Sequence, residues 1–130
     1  MKEPIWLPSG LVLAIHERQL AEHGGQAGTR DIHLLESALA RPQQLFCCGD
    51  PPPDLCDLAA EYAYGLSKNH PFLDGNKRTA FVAYRVFLKW NGLELNATRE
   101  ERYLRMLALA AGELGKNDFA AWLRDVTEAD

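Results

Sequence analysis

The chain is expected to be an all-α protein of a single domain, and three observations carry that expectation. Apolar residues recur with helical spacing, most clearly at Leu55, Leu58, Ala59, Tyr62 and Leu66. Helix-capping and helix-stopping residues separate such stretches at intervals of one short helix. The one alternating run, Leu93-Glu94-Leu95-Asn96, is too short to establish a sheet. With 130 residues, 47% apolar and 25% charged, residues 1–130 suit one compact domain with one core.

In chain order, Ser9 is the expected N-cap of a helix running to about His23, stopped by Gly24-Gly25. A turn-rich link, Gln26–Arg30, leads to Asp31, the cap of a short helix Ile32–Ala40 that buries Leu35, Ala38 and Leu39. That helix is expected to stop before Pro42, because proline disfavours the α conformation in the residue ahead of it. Residues 43–53 then form the longest irregular stretch, either a plain connector or a substrate-docking flap. Asp54 caps the third helix, which ends near Asn69 because Pro71 biases His70 out of the right-handed α region. A fourth helix begins near Asn76 and runs to Trp90, with Ala80, Phe81, Tyr84, Phe87 and Leu88 inward and Asn91-Gly92 as its stop. Thr98 and Glu101 form a capping box opening a helix to about Ala111. Asn117 is the expected cap of a last helix, with Phe119, Trp122, Leu123 and Val126 inward. The count is six helices.

Net charge is −4, which argues against a general nucleic-acid binder. Cys47, Cys48 and Cys56 lack zinc-site spacing and read as reduced thiols. Met1–Leu7 has no basic start followed by a long apolar run, and no segment approaches the ~20 apolar residues of a bilayer span. The expected compartment is the cytoplasm, with neither membrane nor sequence-specific nucleic acid as a partner.

Against this background the stretch His70-Pro71-Phe72-Leu73-Asp74-Gly75-Asn76-Lys77-Arg78 stands apart. A helix starting near Asn76 carries Lys77 and Arg78 in its first turn, where the macrodipole is already positive. Each such cation costs about 0.3–1 kcal/mol, a cost that an anion bound at the helix start removes. His70, at the end of the preceding helix, can take a proton from a hydroxyl. Asp74 offers oxygen ligands suited to Mg²⁺ shared with substrate phosphates. Gly75 permits a tight turn that brings N–H groups close to an anion. Lys77 and Arg78 neutralise phosphate charge. Asn76 orients His70, contacts a phosphate or caps the helix, and Phe72 and Leu73 read as apolar anchors. Base, metal ligand, anion cradle and cations are the parts that phosphoryl or nucleotidyl transfer needs. RNA cleavage with His70 as base uses most of them but leaves Asp74 unexplained. The glycine–lysine pattern is not a Walker loop.

The run His70–Arg78 resembles the signature loop of the Fic/Doc superfamily, in the form seen in death-on-curing (Doc) toxins of toxin–antitoxin systems. Ile15-His16-Glu17 with Gly24-Gly25, the run Leu34–Pro42, Ala63-Tyr64-Gly65-Leu66 and Asn91-Gly92-Leu93 extend the resemblance across Leu11 to Leu123. The resemblance implies a compact Fic fold using ATP and Mg²⁺. It makes His70 the base that activates a target hydroxyl and Asp74 the metal ligand. Gly75, Asn76, Lys77 and Arg78 would hold the nucleotide phosphates. Many Fic relatives transfer AMP and carry glycine where this chain has Lys77. A long cation fills space that glycine leaves for the α-phosphate. Doc toxins share the lysine and phosphorylate a threonine of elongation factor Tu, halting translation.

The inhibitory pattern [ST]-x-x-x-E-[GN] of some Fic proteins is not matched at Ser37 or Thr98, so restraint is expected from a separate small antitoxin, bound by a helix in a groove. The expected function is therefore a Doc-like ATP/Mg²⁺ phosphotransferase acting on a translation factor. The alternatives are AMP transfer onto a protein and a non-catalytic antitoxin- or ribosome-binding module. Elsewhere, His16, His23 and His33 read as solvated helix positions, and Trp6, Trp90 and Trp122 as core or interface residues.

Overall fold

The computed structural model describes residues 1–129 and contains six helices and one two-stranded sheet: α1 (Ser9–His23), α2 (Ile32–Cys48), α3 (Leu55–Asn69), α4 (Asn76–Trp90), β1 (Leu93–Leu95), α5 (Arg99–Ala111), α6 (Lys116–Val126) and β2 (Thr127–Ala129). The central helix is α3. Helices α2, α4, α5 and α6 all pack on it, while α1 lies mainly against α4. Leu58, Ala59, Tyr62 and Leu66 of the predicted stripe on α3 are buried, joined by Ala63, while Leu55 at the helix start is only partly buried. Small residues let α2 approach closely, since a Cβ on Gly65 would lie 3.4 Å from the Ala38 Cα. The facing side of α4 supplies Ala80, Ala83, Tyr84, Phe87 and Leu88. Phe81, expected inside, sits only partly buried at the edge of this core.

The start of α3 is fully capped. Asp54 Oδ1 accepts the Asp57 N–H at 2.8 Å, and Asp57 Oδ2 accepts the Asp54 N–H at 3.0 Å. Arg124 of α6 donates to both carboxylates, at 2.9 and 3.1 Å. A buried carboxylate in the middle of α3, Glu61, is matched by Arg41 of α2 at 3.2 Å and Lys116 of α6 at 2.6 Å.

Five local expectations are corrected. Helix α2 does not stop before Pro42 but passes through it to Cys48. An interior proline costs roughly 3 kcal/mol. Here the turn beyond it packs Leu45 and Phe46 against the core, with Phe46 edge-on to Trp6 at 5.7 Å between ring centres. Tertiary contact outweighs the local penalty, and the irregular stretch shrinks to residues 49–54. The run at Leu93 is a strand after all: β1 pairs antiparallel with β2, Glu94 opposite Glu128. Its partner lies a whole helix pair further along the chain. Helix α1 begins at Ser9 itself, with Pro8 at the cap position and no side-chain cap. Helix α6 begins at Lys116 after Gly115, so Asn117 is inside the helix. Thr98 caps Glu101 N–H at 3.1 Å, but the Glu101 carboxylate turns away to accept Trp122 Nε1–H at 3.0 Å, and the box is half formed. No described helix is long and apolar enough to cross a membrane.

Candidate functional site

The loop between α3 and α4 is held open by its own backbone. His70, the C-cap of α3, adopts φ 50° and ψ 56°, the only non-glycine residue at positive φ among the described residues. Pro71 does keep it out of the right-handed region, but the left-handed turn replaces the extended one. Such a conformation costs about 1–3 kcal/mol and persists where neighbours over-determine it. Arg30 is that neighbour. Its Nε donates to the His70 carbonyl at 2.8 Å and its terminal nitrogen to the Asn69 carbonyl at 2.9 Å, closing the end of α3.

The whole link between α1 and α2 straps the loop in the same way. Arg30 and Asp31 N–H donate to the Pro71 carbonyl at 2.8 and 3.2 Å, and Leu73 N–H donates to the Gly28 carbonyl at 3.1 Å. Thr29 and Phe72 form an antiparallel bridge. Gln26 N–H donates to Asp74 Oδ2 at 3.2 Å. Gly25, at φ +125°, lies so close that a Cβ would sit 2.8 Å from that same oxygen. A side chain there would displace the carboxylate.

Beneath the loop lies His16, which is not solvated as expected but 4% exposed. Its ring stacks on Phe72 with 3.7 Å between centres and 8° between planes. Its Nε2 is 2.7 Å from the Asp74 carbonyl. A carbonyl only accepts, so this nitrogen carries the proton. Phe72 is the apolar anchor that the sequence indicated; Leu73 is not, being 47% exposed beside Gly28.

The side chains His70, Asp74, Lys77 and Arg78 are all exposed on this one loop and helix start. Asn76 is turned inward. Its Oδ1 accepts Phe72 N–H and its Nδ2 donates to the Phe72 carbonyl, both at 3.0 Å, with His70 Nδ1 at 3.4 Å from the same amide nitrogen. The side chain braces the loop beside His70, and the backbone N–H is the group left for a ligand. The 3.4 Å contact is too long to fix the His70 tautomer. Asp74 is held below the usual carboxylate range by the N–H groups of Gln26 and Gly75, helped by Arg78. Each carboxylate oxygen takes one backbone hydrogen bond, Oδ1 from Gly75 and Oδ2 from Gln26.

Helix α4 opens after Gly75 at φ +79° with no side-chain cap and no acid in its first turn. The first helical bond runs from Thr79 N–H to the Gly75 carbonyl at 3.0 Å. The N–H groups of Asn76, Lys77 and Arg78 therefore point out of the helix end, the arrangement that binds anions. Arg78 also reaches the Gly24 carbonyl at 3.1 Å. No cluster of three or more metal-ligating side chains exists among the described residues. A Mg²⁺ ion here would have Asp74 as its protein ligand and take its other oxygens from phosphates and water, a donor set that Mg²⁺ accepts.

A family model described as the Fic/DOC family matches residues 6–88, from before α1 through most of α4. The chain belongs to this family. It is 46% identical over 74 residues to Toxin Doc of Mycolicibacterium smegmatis (strain ATCC 700084 / mc(2)155), a match covering 57% of each chain. It is 30% identical over 113 residues to Protein kinase doc of Escherichia phage P1, covering 87% of this chain and 88% of that one. The family resemblance read from His70–Arg78 is thus correct, and so is the all-α fold expected with it.

The site also contains residues that the sequence reading passed over. His16 shares the buried stripe of α1 with Val12 and Ile15, spaced i, i+3, i+4, and that periodicity was the available signal. Gln26 and Gly28 act through backbone groups and left none. Arg30 acts through its guanidinium, but on carbonyls that nothing in the sequence marks.

Proposed function

We propose that this Fic/DOC-family chain is a Doc-like toxin that transfers the γ-phosphoryl group of ATP to a hydroxyl of a protein substrate, a translation factor of the elongation factor Tu kind. The observation that carries the reading is the first turn of α4: uncapped, free of acid, bearing two exposed cations, and set beside an exposed histidine and carboxylate. In this reading Asn76, Lys77 and Arg78 bind phosphate oxygens through backbone N–H groups, and Lys77 and Arg78 add their charges. Asp74 holds Mg²⁺, which neutralises phosphate charge when bound. His70 takes the proton of the target hydroxyl as the new O–P bond forms, and the bond from the γ-phosphorus to its bridging oxygen breaks to release ADP. His16 is a positioning residue, fixing the Asp74 backbone from below.

Two points favour phosphoryl over AMP transfer: the phage P1 relative bears the name of a protein kinase, and Lys77 stands where AMP-transferring relatives carry glycine. Purified chain, incubated with cell lysate and ATP labelled in the α or the γ position, tests this. Label passing to protein from the γ position is expected; label from the α position would install AMP transfer instead. A separate antitoxin is the proposed restraint. An open cleft of about 450 Å³ between the N-terminal segment and α2, lined by Trp6, Leu39, Ala40 and Gln43 among others, is of the kind that takes an amphipathic helix. Induced expression of the chain alone should arrest growth in a His70-dependent way, with relief by the neighbouring gene's product. Harmless expression of active enzyme would remove the toxin reading.

A further inference from the structure

The three thiols of the chain sit in two different settings. Cys56 is buried, its thiol pushed up by that burial and its sulfur 3.6 Å from the Thr127 hydroxyl. Cys47 and Cys48 are the last two residues of α2 and both are exposed. Consecutive side chains on a helix do not face each other, yet the Cys48 thiol donates to the Cys47 sulfur with 3.0 Å between the two atoms. The turn that carries them is a helix end: Gly49 N–H donates to the Leu45 carbonyl at 2.8 Å, and the chain leaves α2 there. Beside it lies an open cleft of about 400 Å³, lined by Arg41, Gln44, Leu45, Cys48, Glu61 and Lys116. The ion pairs of Glu61 with Arg41 and Lys116 brace one side of that cleft.

We infer that Cys47 and Cys48 form an oxidation site, at which hydrogen peroxide joins the two adjacent residues in a disulfide and the last turn of α2 unwinds to accept it. Both sulfurs are open to a small oxidant, and they already touch. Cys48 is raised by its hydrogen bond to Cys47 and by the Cys47 charge, so it keeps its proton and Cys47 reacts first. The Cys47 thiolate attacks one peroxide oxygen, the O–O bond breaks, and hydroxide leaves, with a sulfenic acid at Cys47. The Cys48 sulfur then attacks the Cys47 sulfur, the S–O bond breaks, and water departs with the Cys48 proton. In total two thiols give up two electrons, and one peroxide becomes two waters. Adjacent Cα atoms stand only about 3.8 Å apart, closer than the ~4.4–6.8 Å of an ordinary disulfide. Closing so small a ring draws the backbone away from helical angles. In the middle of α2 that would break the helix; at residues 47 and 48 it gives up the terminal turn, and the neighbouring cleft has room for the displaced chain. Helix α3 begins beyond the irregular link with a capping box of its own, so the change ends before it.

Treating the reduced full chain with a small excess of hydrogen peroxide, then blocking remaining thiols with N-ethylmaleimide, tests the site without reference to any enzymatic activity. Intact mass should show the loss of two hydrogens and of two alkylation sites, on a monomer, with dithiothreitol restoring both. Peptide mapping should place the bridge at Cys47–Cys48 and the remaining alkylated thiol at Cys56. In Cys48→Ser the reaction should stop at Cys47 as a sulfenic acid that dimedone traps, and Cys47→Ser should lose the bridge and the trapped adduct alike. Cys56→Ser should oxidise as the parent does. Circular dichroism of the oxidised parent should show about one turn less helix, roughly 3.6 residues, and the loss should be absent in Cys48→Ser. Disulfide-linked dimers, oxidation that passes directly to sulfinic acid, a bridge that involves Cys56, or two free thiols after treatment would each overturn the site. Unchanged helix content in a bridged chain would overturn the unwinding.

Discussion

Helices α3 and α4 are of equal length, 15 residues, and pack against each other through the centre of the molecule, yet their N-termini are built on opposite principles. The start of α3 has a reciprocal capping box, an acid in its first turn and Arg124 clamping both carboxylates. The start of α4 has a left-handed glycine, no cap, no acid and two cations. One end is satisfied by the protein; the other is left for something else to satisfy. The same chain thus shows what a stability-directed helix start looks like, and the departure at Gly75–Arg78 reads as functional by that internal standard.

The difference is broken most severely at His70. His70→Ala should lower phosphoryl transfer about 10²- to 10⁴-fold, the usual cost of losing a general base, with ATP affinity unchanged by calorimetry. Next in size is Asp74→Asn, expected to weaken Mg²⁺–ATP binding about 10- to 100-fold through loss of a charged ligand. Equal nucleotide affinity in the variant and the parent would sink the metal-ligand role. At the contrasting end, Asp54→Ala should cost about 0.5–2 kcal/mol in urea unfolding and leave turnover per folded molecule intact. The smallest effect on stability inverts the sign: Lys77→Glu places an acid in the first turn of α4 and should stabilise the fold by about 0.3–1 kcal/mol in urea unfolding, although it weakens nucleotide binding.

Acid tests the capped end directly. Burial pushes Asp54 up, but the Asp57 N–H and Arg124 outweigh it and hold the group below its ordinary value of 3.8. A carboxyl depressed in the folded state contributes stability that is complete above its unfolded value and fades as pH falls through the folded one. The melting temperature should therefore drop below about pH 4, and less steeply in Asp54→Ala; parallel acid curves would refute the contribution of the cap.

Six helices and the grouping of His70, Asp74, Lys77 and Arg78 were legible because both are local properties: apolar spacing in one case, side chains within a single turn in the other. What escaped was decided at a distance. Pro42 reads as a stop until Phe46 is seen packing on Trp6. Leu93–Leu95 reads as too short until β2 arrives from beyond α6. His16 reads as a surface histidine until Phe72 covers its ring. Gln26 and Gly28 contribute backbone N–H and C=O groups, which every residue but proline carries and no sequence distinguishes.

The strap formed by the α1–α2 link has a consequence for how the protein fails. Its hydrogen bonds to the loop join residues 40 and 48 positions apart, through Arg30 with His70 and Gln26 with Asp74, on an exposed surface rather than in the core. Contacts of that kind open by local fluctuation at lower free energy than the helices they connect. Mild denaturant or heat should therefore unfasten the strap while α3 remains packed, so that the protein goes silent before it melts, and recovers its geometry on cooling without having to refold.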